Sequence, residues 1–304
     1  MKIFYDLQPS AVETAVALGT FDGLHLGHRA VIFQTLGEAG LTPTVLTFSA
    51  NPLCDLGGST GGELMTEAQK VRVLESLGVE QLYLLRFSSL MNLSPEQFVD
   101  EVLVRALHAK KVCCGFNYTF GAGGRADSET LRHLCTGRGL RAAVAPAVLS
   151  GGETVSSTRI RALVEKGEVA AAARLLGRPY GYLSAVRHGR QLGRRLGTPT
   201  LNQEIPKSFV LPPFGVYVSR VHLQGSTYCG VTNVGMRPTV DGHRLTAETW
   251  MPGYTGPEVY GETVQTDLLQ FLRPEQKFAD VETLGRQIRA DGKQAEAFFA
   301  RRGQ

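Results

Sequence analysis

The chain has 304 residues, 43% of them hydrophobic, and a formal net charge of +4. That length suggests two domains, and the lack of any run of 18 apolar residues excludes a membrane-spanning helix. The charge is mild and suits an anionic small ligand as well as it suits nucleic acid.

The first ten residues carry Asp6 and lack the basic-then-apolar order of a signal peptide, so a cytoplasmic protein is expected. The cysteines, Cys54, Cys113, Cys114, Cys135 and Cys229, form no C-x-x-C pair. A zinc site or disulfide framework is therefore not expected, and Cys113-Cys114 reads as core packing.

In chain order, Thr14 to Leu18 reads as a buried strand, and a helix follows to about Glu38 with Leu26, Ala30, Phe33 and Leu36 at helical spacing. Thr44 to Phe48 is a second strand. Glu67 to Leu77 is helical, with Val71, Leu74 and Leu77 on one stripe. Gln81 to Leu85 is a third strand. Ser94-Pro95-Glu96-Gln97 opens a helix as a capping box with Pro at its first position. Phe98, Val102, Ala106 and Leu107 carry that helix's apolar face. Lys111 to Gly115, a helix over Asp127 to Cys135, and Arg141 to Ala145 complete the series. This alternation predicts a Rossmann-like parallel sheet with helices on both faces, which binds ligands beyond the carboxyl ends of its strands.

A helix near Thr158, with Ser157 as a candidate cap, ends at Gly167. A second, Glu168 to Leu176, stops at Gly177 with Pro179 beyond. The domain boundary is placed there, giving 1–178 and 179–304. After it, short β-prone runs alternate with turns: Tyr182 to Val186, Gly215 to Leu223, Thr227 to Val234, Thr246 to Trp250 and Glu262 to Phe271. A small antiparallel barrel is expected. A terminal helix follows from about Val281, with Leu284, Ile288, Ala295 and Phe299 on its buried side and Gly292 interrupting the pattern.

Polar motifs fall at the strand ends of the first half. Gly19-Thr20-Phe21-Asp22-Gly23-Leu24-His25-Leu26-Gly27-His28 turns a strand into a helix. A helix start supplies free backbone N–H groups and positive dipole, a place to hold phosphate. His25 and His28, at i and i+3, add donors on one face. Such a site suits nucleotidyl transfer, in which a phosphate attacks the α-phosphorus of ATP and pyrophosphate leaves. The protein need only align the phosphates and stabilise the developing charge. Arg159 and Arg161 suit bidentate phosphate contacts, and Ser157 and Thr158 can donate hydroxyls. Asn117 is either a turn former or a ligand contact.

The second half has its own set. Arg187 to Asn202 is rich in glycine and cations, including Gly189, Gly193 and Arg194, and ends in P-T-x-N. Thr200 and Asn202 lie on one side of an extended chain. Together they suit Mg²⁺, a hard cation that takes oxygen ligands. The arginines also fit a solvated loop or a nucleic-acid patch.

The stretches G-x-F-D-G-x-H-x-G-H, G-F-N-Y-T-F-G and S-S-T-R-I-R, in this order, resemble the adenylyltransferase domain of the bacterial bifunctional riboflavin kinase/FMN adenylyltransferase (FAD synthetase) family. The stretch from His188 to Asn202 resembles that family's kinase signature H-G-x-x-x-G-R-x-L-G-x-P-T-x-N. So do Leu211 to Tyr217, Asn233 to Thr239 and Tyr260-Gly261.

The resemblance implies riboflavin phosphorylation to FMN and FMN adenylylation to FAD, with ATP and Mg²⁺. It implies that His25 and His28 contact the transferring phosphates, with Gly19, Phe21, Asp22 and Gly23 in the same motif. Asn117, Ser157, Thr158 and Arg161 line the nucleotide site, Thr200 and Asn202 contact Mg-ATP, and Glu248 is the kinase's general base. Three positions depart from the family: Asn51 and Trp250 stand where histidines are usual, and Ala126 where a glycine is common. Small-molecule partners are expected, without nucleic acid or membrane, and a homo-oligomer is compatible with this reading. The alternatives are another H-x-G-H nucleotidyltransferase or tRNA-synthetase-like ligase, for which no K-M-S-K-S loop is present, or a non-enzymatic flavin- or nucleic-acid-binding protein.

Overall fold

The computed structural model describes residues 1–50, 52, 61–189, 193, 196–239 and 242–302. Asn51, Cys54 and Arg194 lie outside the described residues. The chain divides into two compact units, 1–63 with 67–157 and 64–66 with 158–304.

The first unit is built on β1 (Lys2–Phe4), β2 (Thr14–Leu18), α1 (Leu26–Phe33), β3 (Thr42–Phe48), α2 (Glu67–Ser76) and β4 (Gln81–Leu85). Helix α3 starts at Pro95–Gln97 and continues as a π-helix over Phe98–Ala106, followed by β5 (Ala109–Gly115). The hairpin β6 (Thr119–Phe120) with β7 (Ala126–Asp127) leads into α4 (Ser128–Thr136) and β8 (Arg141–Ala145). A second short hairpin, β9 (Leu149–Ser150) with β10 (Glu153–Thr154), closes the unit.

Strand order in its six-stranded sheet is β1-β4-β3-β2-β5-β8, and every pair is parallel. From β2 the chain runs outward through β3 to β4, then returns to lay β5 on the other side of β2. That reversal opens a crevice beyond the carboxyl ends of β2 and β5. Strands β2 and β4 are buried along their whole length, which is why they read as continuous apolar runs. The expected capping box forms, with Ser94 and Gln97 bonded reciprocally. The edge strand β1 had no sequence signal of its own; it is three residues long and pairs with β4. Helix α1 ends at Phe33, short of the expected Glu38. Cys113 and Cys114 are buried, and burial pushes their thiols up to about 11 and about 12, as fits core packing.

After residues 64–66, the second unit takes in helix α5 (Ser157–Glu165) from Thr158 onward and α6 (Val169–Leu176), the latter ended by Gly177 at φ 68°. It continues through β11 (Tyr180–Arg187), β12 (Thr200–Glu204), β13 (Gly215–Leu223), β14 (Ser226–Thr239), β15 (Gly242–Trp250), β16 (Thr263–Pro274) and α7 (Val281–Arg302). The six strands close an antiparallel barrel in the order β11-β12-β15-β14-β13-β16. Helix α6 packs on β11 and β16. By packing, both helices therefore group with the barrel, although the expected boundary at 178/179 set them with the first half.

The barrel interior is partly polar. The Thr232 hydroxyl donates to Ser219 Oγ at 2.7 Å and lies 2.8 Å from Thr249 Oγ1. Gln203 donates to the carbonyl of Val264 at 2.7 Å and accepts from Thr266 at 2.6 Å. On the outside, Ala295, Phe298 and Phe299 of α7 cover Val216, Val218 and Val231.

Gly292 is a contact rather than an interruption in α7. A Cβ there would lie 2.4 Å from the Trp250 ring, so only glycine admits the helix at that distance. One residue earlier, Asp291, 1% exposed, takes a forked pair of bonds from Arg273 of β16, at 3.2 and 2.7 Å. Removing one partner of a buried pair strands the other charge. Asp291→Ala is expected to destabilise the barrel unit by about 3 kcal/mol, read as a lower urea midpoint for its unfolding transition.

Candidate functional site

The turn after β2 runs through left-handed backbone at three positions, two of them strained because they carry a Cβ. Phe21, Gly23 and Leu24 have φ of 48°, 80° and 41°. Left-handed backbone disfavours residues with a Cβ by about 1–2 kcal/mol each, and such strain gathers at functional turns. Burial compensates: Phe21 is 1% exposed and Leu24 fully buried. A Cβ on Gly19 would meet the Phe21 ring at 3.0 Å, and one on Gly27 the His25 ring at 3.1 Å. Both glycines make room for the aromatic rings of their own motif.

The turn delivers two stacked imidazoles. The rings of His25 and His28 lie 3.6 Å apart and 16° from parallel, and the Phe21 ring meets His28 edge-on at 5.3 Å. His25 caps α1: its Nδ1 accepts the His28 backbone N–H at 3.3 Å. Neutral His25 therefore carries its proton on Nε2. His28 Nδ1 is buried and has no hydrogen-bond partner among the described residues. Burial, then the neighbouring His25 and Lys70, hold the His28 pKa well below the usual histidine range. A neutral ring with an unsatisfied buried nitrogen is a donor or acceptor kept for a ligand.

Around this turn, Asp22 is buried. Its carbonyl accepts the Ser157 hydroxyl at 2.9 Å. Ser157 was a candidate helix cap; instead it is the first residue of α5, and its hydroxyl ties the helix start to the motif loop. Thr158, Arg159 and Arg161 follow in the first two turns of that helix. Asn117 is exposed in a turn closed by the Tyr118 N–H on the Gly115 carbonyl at 3.1 Å, the turn-forming role.

The reading by motif missed Lys70. It lies on α2, four residues before Leu74 on the same stripe, so a buried place for it was legible in the helical spacing. Lys70 is 8% exposed, and its ammonium donates to the carbonyls of Thr20 at 3.2 Å and Phe48 at 3.1 Å.

In the barrel unit, Gly189, Gly193, Pro199, Thr200 and Asn202 line a cavity of about 290 Å³, with Tyr260 across it. His188 stacks on Tyr260, ring centroids 3.7 Å apart. A Cβ on Gly189 would collide with the Asn202 amide at 2.5–2.6 Å, and one on Gly193 with the Thr198 carbonyl at 2.3 Å. Both glycines therefore admit a close approach of the chain's own groups, the Asn202 amide and the Thr198 carbonyl.

Asn202 donates through Nδ2 to the Thr200 carbonyl at 3.2 Å, and its buried Oδ1 has no partner among the described residues. An orphaned oxygen beside a threonine hydroxyl, in a cavity without a His/Cys/Asp/Glu cluster among the described residues, fits a cation completed by phosphate oxygens and water.

Glu248 is not among the cavity-lining residues. Ladder register puts it directly opposite Asn202 on one side and Asn233 on the other, so the three share the barrel's outer face. Its carboxylate is ion-paired with Arg237. Asn233 in turn donates to Glu275 at 3.0 Å. Arg237 and Glu275 carried no separate sequence signal as partners, because the pairing is cross-strand.

The family model for FAD synthetase matches residues 7–159, and that for riboflavin kinase matches 176–299. The bifunctional riboflavin kinase/FMN adenylyltransferase of Listeria monocytogenes is 35% identical over 95% of this chain and 94% of its own length. That of Bacillus subtilis is 32% identical over 97% and 95%. A solved structure named a macrolide-efflux protein, from Streptococcus pneumoniae, has a TM-score of 0.86 and 30% identity, covering 97% of this chain and 99% of that one. Among the described residues of this chain no helix is long and apolar enough to cross a membrane.

A depressed pKa means that the unfolded chain binds a proton that folded His28 refuses. The first unit therefore loses stability as pH falls through the ordinary histidine range. In an NMR titration the His28 ring is expected to stay neutral through that range while a histidine peptide control titrates.

Proposed function

The chain belongs to the bifunctional riboflavin kinase/FMN adenylyltransferase family, and from that premise we propose how its residues divide the two reactions. The enzyme phosphorylates riboflavin with ATP, giving FMN and ADP, and adenylylates FMN with a second ATP, giving FAD and pyrophosphate. Adenylylation is assigned to the N-terminal half, 1–178, and phosphorylation to the C-terminal half, 179–304. The boundary is a functional one along the chain, so that the S-S-T-R-I-R stretch stays with the adenylylation machinery.

For adenylylation, the FMN phosphate attacks the α-phosphorus of ATP, the bond to the β-phosphate oxygen breaks, and pyrophosphate departs. His25 and His28 donate to oxygens on which charge develops, and the N–H groups at the start of α1 add to them. The reading is carried by the unsatisfied buried Nδ1 of His28. Gly19, Phe21, Asp22 and Gly23 set the turn. Ser157, Thr158, Arg159 and Arg161 serve the nucleotide, with Arg161 on the transferring phosphates, and Asn117 and Asn51 contact ligand from the neighbouring loops.

For phosphorylation, Glu248 takes the proton from the terminal ribityl hydroxyl as that oxygen attacks the γ-phosphorus and ADP leaves. The carboxylate must first exchange its Arg237 partner for the hydroxyl. Thr200 and Asn202 hold Mg²⁺, supported by the orphaned Asn202 oxygen. When bound, the ion screens phosphate charge. Gly189, Gly193 and Arg194 serve the nucleotide phosphates. The substrates are small molecules, and the cytoplasm, where ATP and flavins meet, is the proposed location.

Incubation with riboflavin, ATP and Mg²⁺ is expected to yield both FMN and FAD, separated by chromatography. No conversion of either flavin would overturn the reading. His28→Ala should lower FAD formation by about 10²–10³-fold, the scale of one lost transition-state donor, and spare FMN formation. Glu248→Gln should lower FMN formation by about 10²–10⁴-fold, the scale of general-base catalysis, and spare adenylylation of supplied FMN.

A further inference from the structure

A buried ammonium is expensive. Removing it from water costs several kcal/mol even after relaxation. Lys70 occupies a stripe position of α2 that an apolar side chain, like Leu74 one turn on, would fill without that penalty. Packing therefore does not explain the charge, whereas its hydrogen bonds do. One ammonium joins the carbonyl of Thr20, just past the end of β2, to that of Phe48, the last residue of β3. The Thr20 carbonyl also accepts the Thr47 hydroxyl at 2.9 Å. Three side-chain bonds thus fasten the mouths of two neighbouring strands just before the strained turn over Phe21 to Leu24.

We propose that Lys70 is a positioning residue for adenylyl transfer: by clamping the Thr20 and Phe48 carbonyls it fixes the turn that presents His25 and His28 to the phosphates. This rests on the reading of His28 as a phosphate-facing donor. Electrostatics support the same role. Lys70 is one of the causes holding the His28 pKa down, after burial and His25. Burial lowers the pKa of Lys70 itself, while Asp22, Glu63 and Glu67 favour its charged form. These carboxylates and the two imidazoles are the titratable groups that bear on the pair. The charge of the clamp thus adds to burial and to His25 in disfavouring the imidazolium form of His28.

The test compares Lys70→Met and Lys70→Arg in the full chain, with riboflavin phosphorylation as an internal control for folding. Lys70→Met is expected to lower kcat for FMN adenylylation by about tenfold to a hundredfold, the scale of a misplacement near 1 Å. The KM for ATP should change little and riboflavin phosphorylation should be unchanged. With the cation gone, the NMR titration of His28 and the acid limb of the adenylylation pH profile both move to higher pH. Lys70→Arg keeps charge and donors, and should restore most of the rate and the wild-type titration.

Wild-type adenylylation in Lys70→Met overturns the proposal. So does a Lys70→Arg as slow as Lys70→Met with no movement of the His28 titration in either. If Lys70→Met fails to fold, Lys70→Gln, which keeps one donor and loses the charge, is judged by the same outcomes. Failure of the underlying reading has a different signature: His28→Ala would then adenylylate FMN normally, whereas failure of this proposal leaves His28→Ala slow and Lys70→Met fast.

Discussion

Two nitrogen bases, the buried Lys70 and the half-buried His28 with its buried Nδ1, lie within electrostatic reach of one another beyond the carboxyl ends of parallel strands, and the architecture of the first unit answers that constraint. Both cannot be charged there cheaply. Lys70 has two carbonyls and the field of Asp22, Glu63 and Glu67, whereas His28 has no partner for its buried Nδ1 among the described residues and its pKa is held well below the usual histidine range. The parallel sheet makes the arrangement available. Its strand ends expose carbonyls that take up an ammonium, and the turn into α1 exposes N–H groups that take up an anion.

The barrel unit meets a similar demand differently. Here the candidate groups carry oxygen rather than nitrogen: Thr200 and Asn202 on β12 and Glu248 on the adjacent β15. Glycine is the shared device. Gly19 and Gly27 clear space for Phe21 and His25 in the first unit, and Gly189 clears space for Asn202 in the second. In each case a missing Cβ lets a functional or supporting side chain sit against backbone. The barrel's rigidity has separate sources: a hydroxyl and amide network inside it, and outside it the seam of α7, where Gly292 meets Trp250 and Asp291 meets Arg273. That seam gives a structural role to Trp250, the residue that departs from the family's usual histidine.

Much of this was legible in the chain itself. Strand and helix alternation, the capping box at Ser94, the Gly177 stop and the antiparallel run of the second half are local signals, carried by periodicity and by residues with restricted backbone. The H-x-G-H turn and the P-T-x-N segment were legible because their chemistry lies within a few consecutive residues. What stayed hidden depends on neighbours distant in sequence. Strand β1 is too short to show periodicity. The spacing of α2 puts Lys70 on the buried stripe, but its carbonyl partners, Thr20 and Phe48, are brought to it only by the fold. The left-handed conformations of Phe21 and Leu24 run against their residue types and persist because the surrounding core over-determines them.

The sequence by itself thus determined the order of elements, the two kinds of sheet and the two glycine-bearing motifs at H-x-G-H and P-T-x-N, because hydrophobic period and glycine placement act over short stretches. Only the tertiary structure decided that His25 caps a helix while His28 keeps an unsatisfied nitrogen, and that Ser157 bonds the Asp22 carbonyl rather than its own helix. It also decided that helices α5 and α6 group with the barrel, and that Glu248 waits in an ion pair with Arg237. Each of these depends on which polar groups lose water together, and that is settled by the packing of segments far apart in the chain.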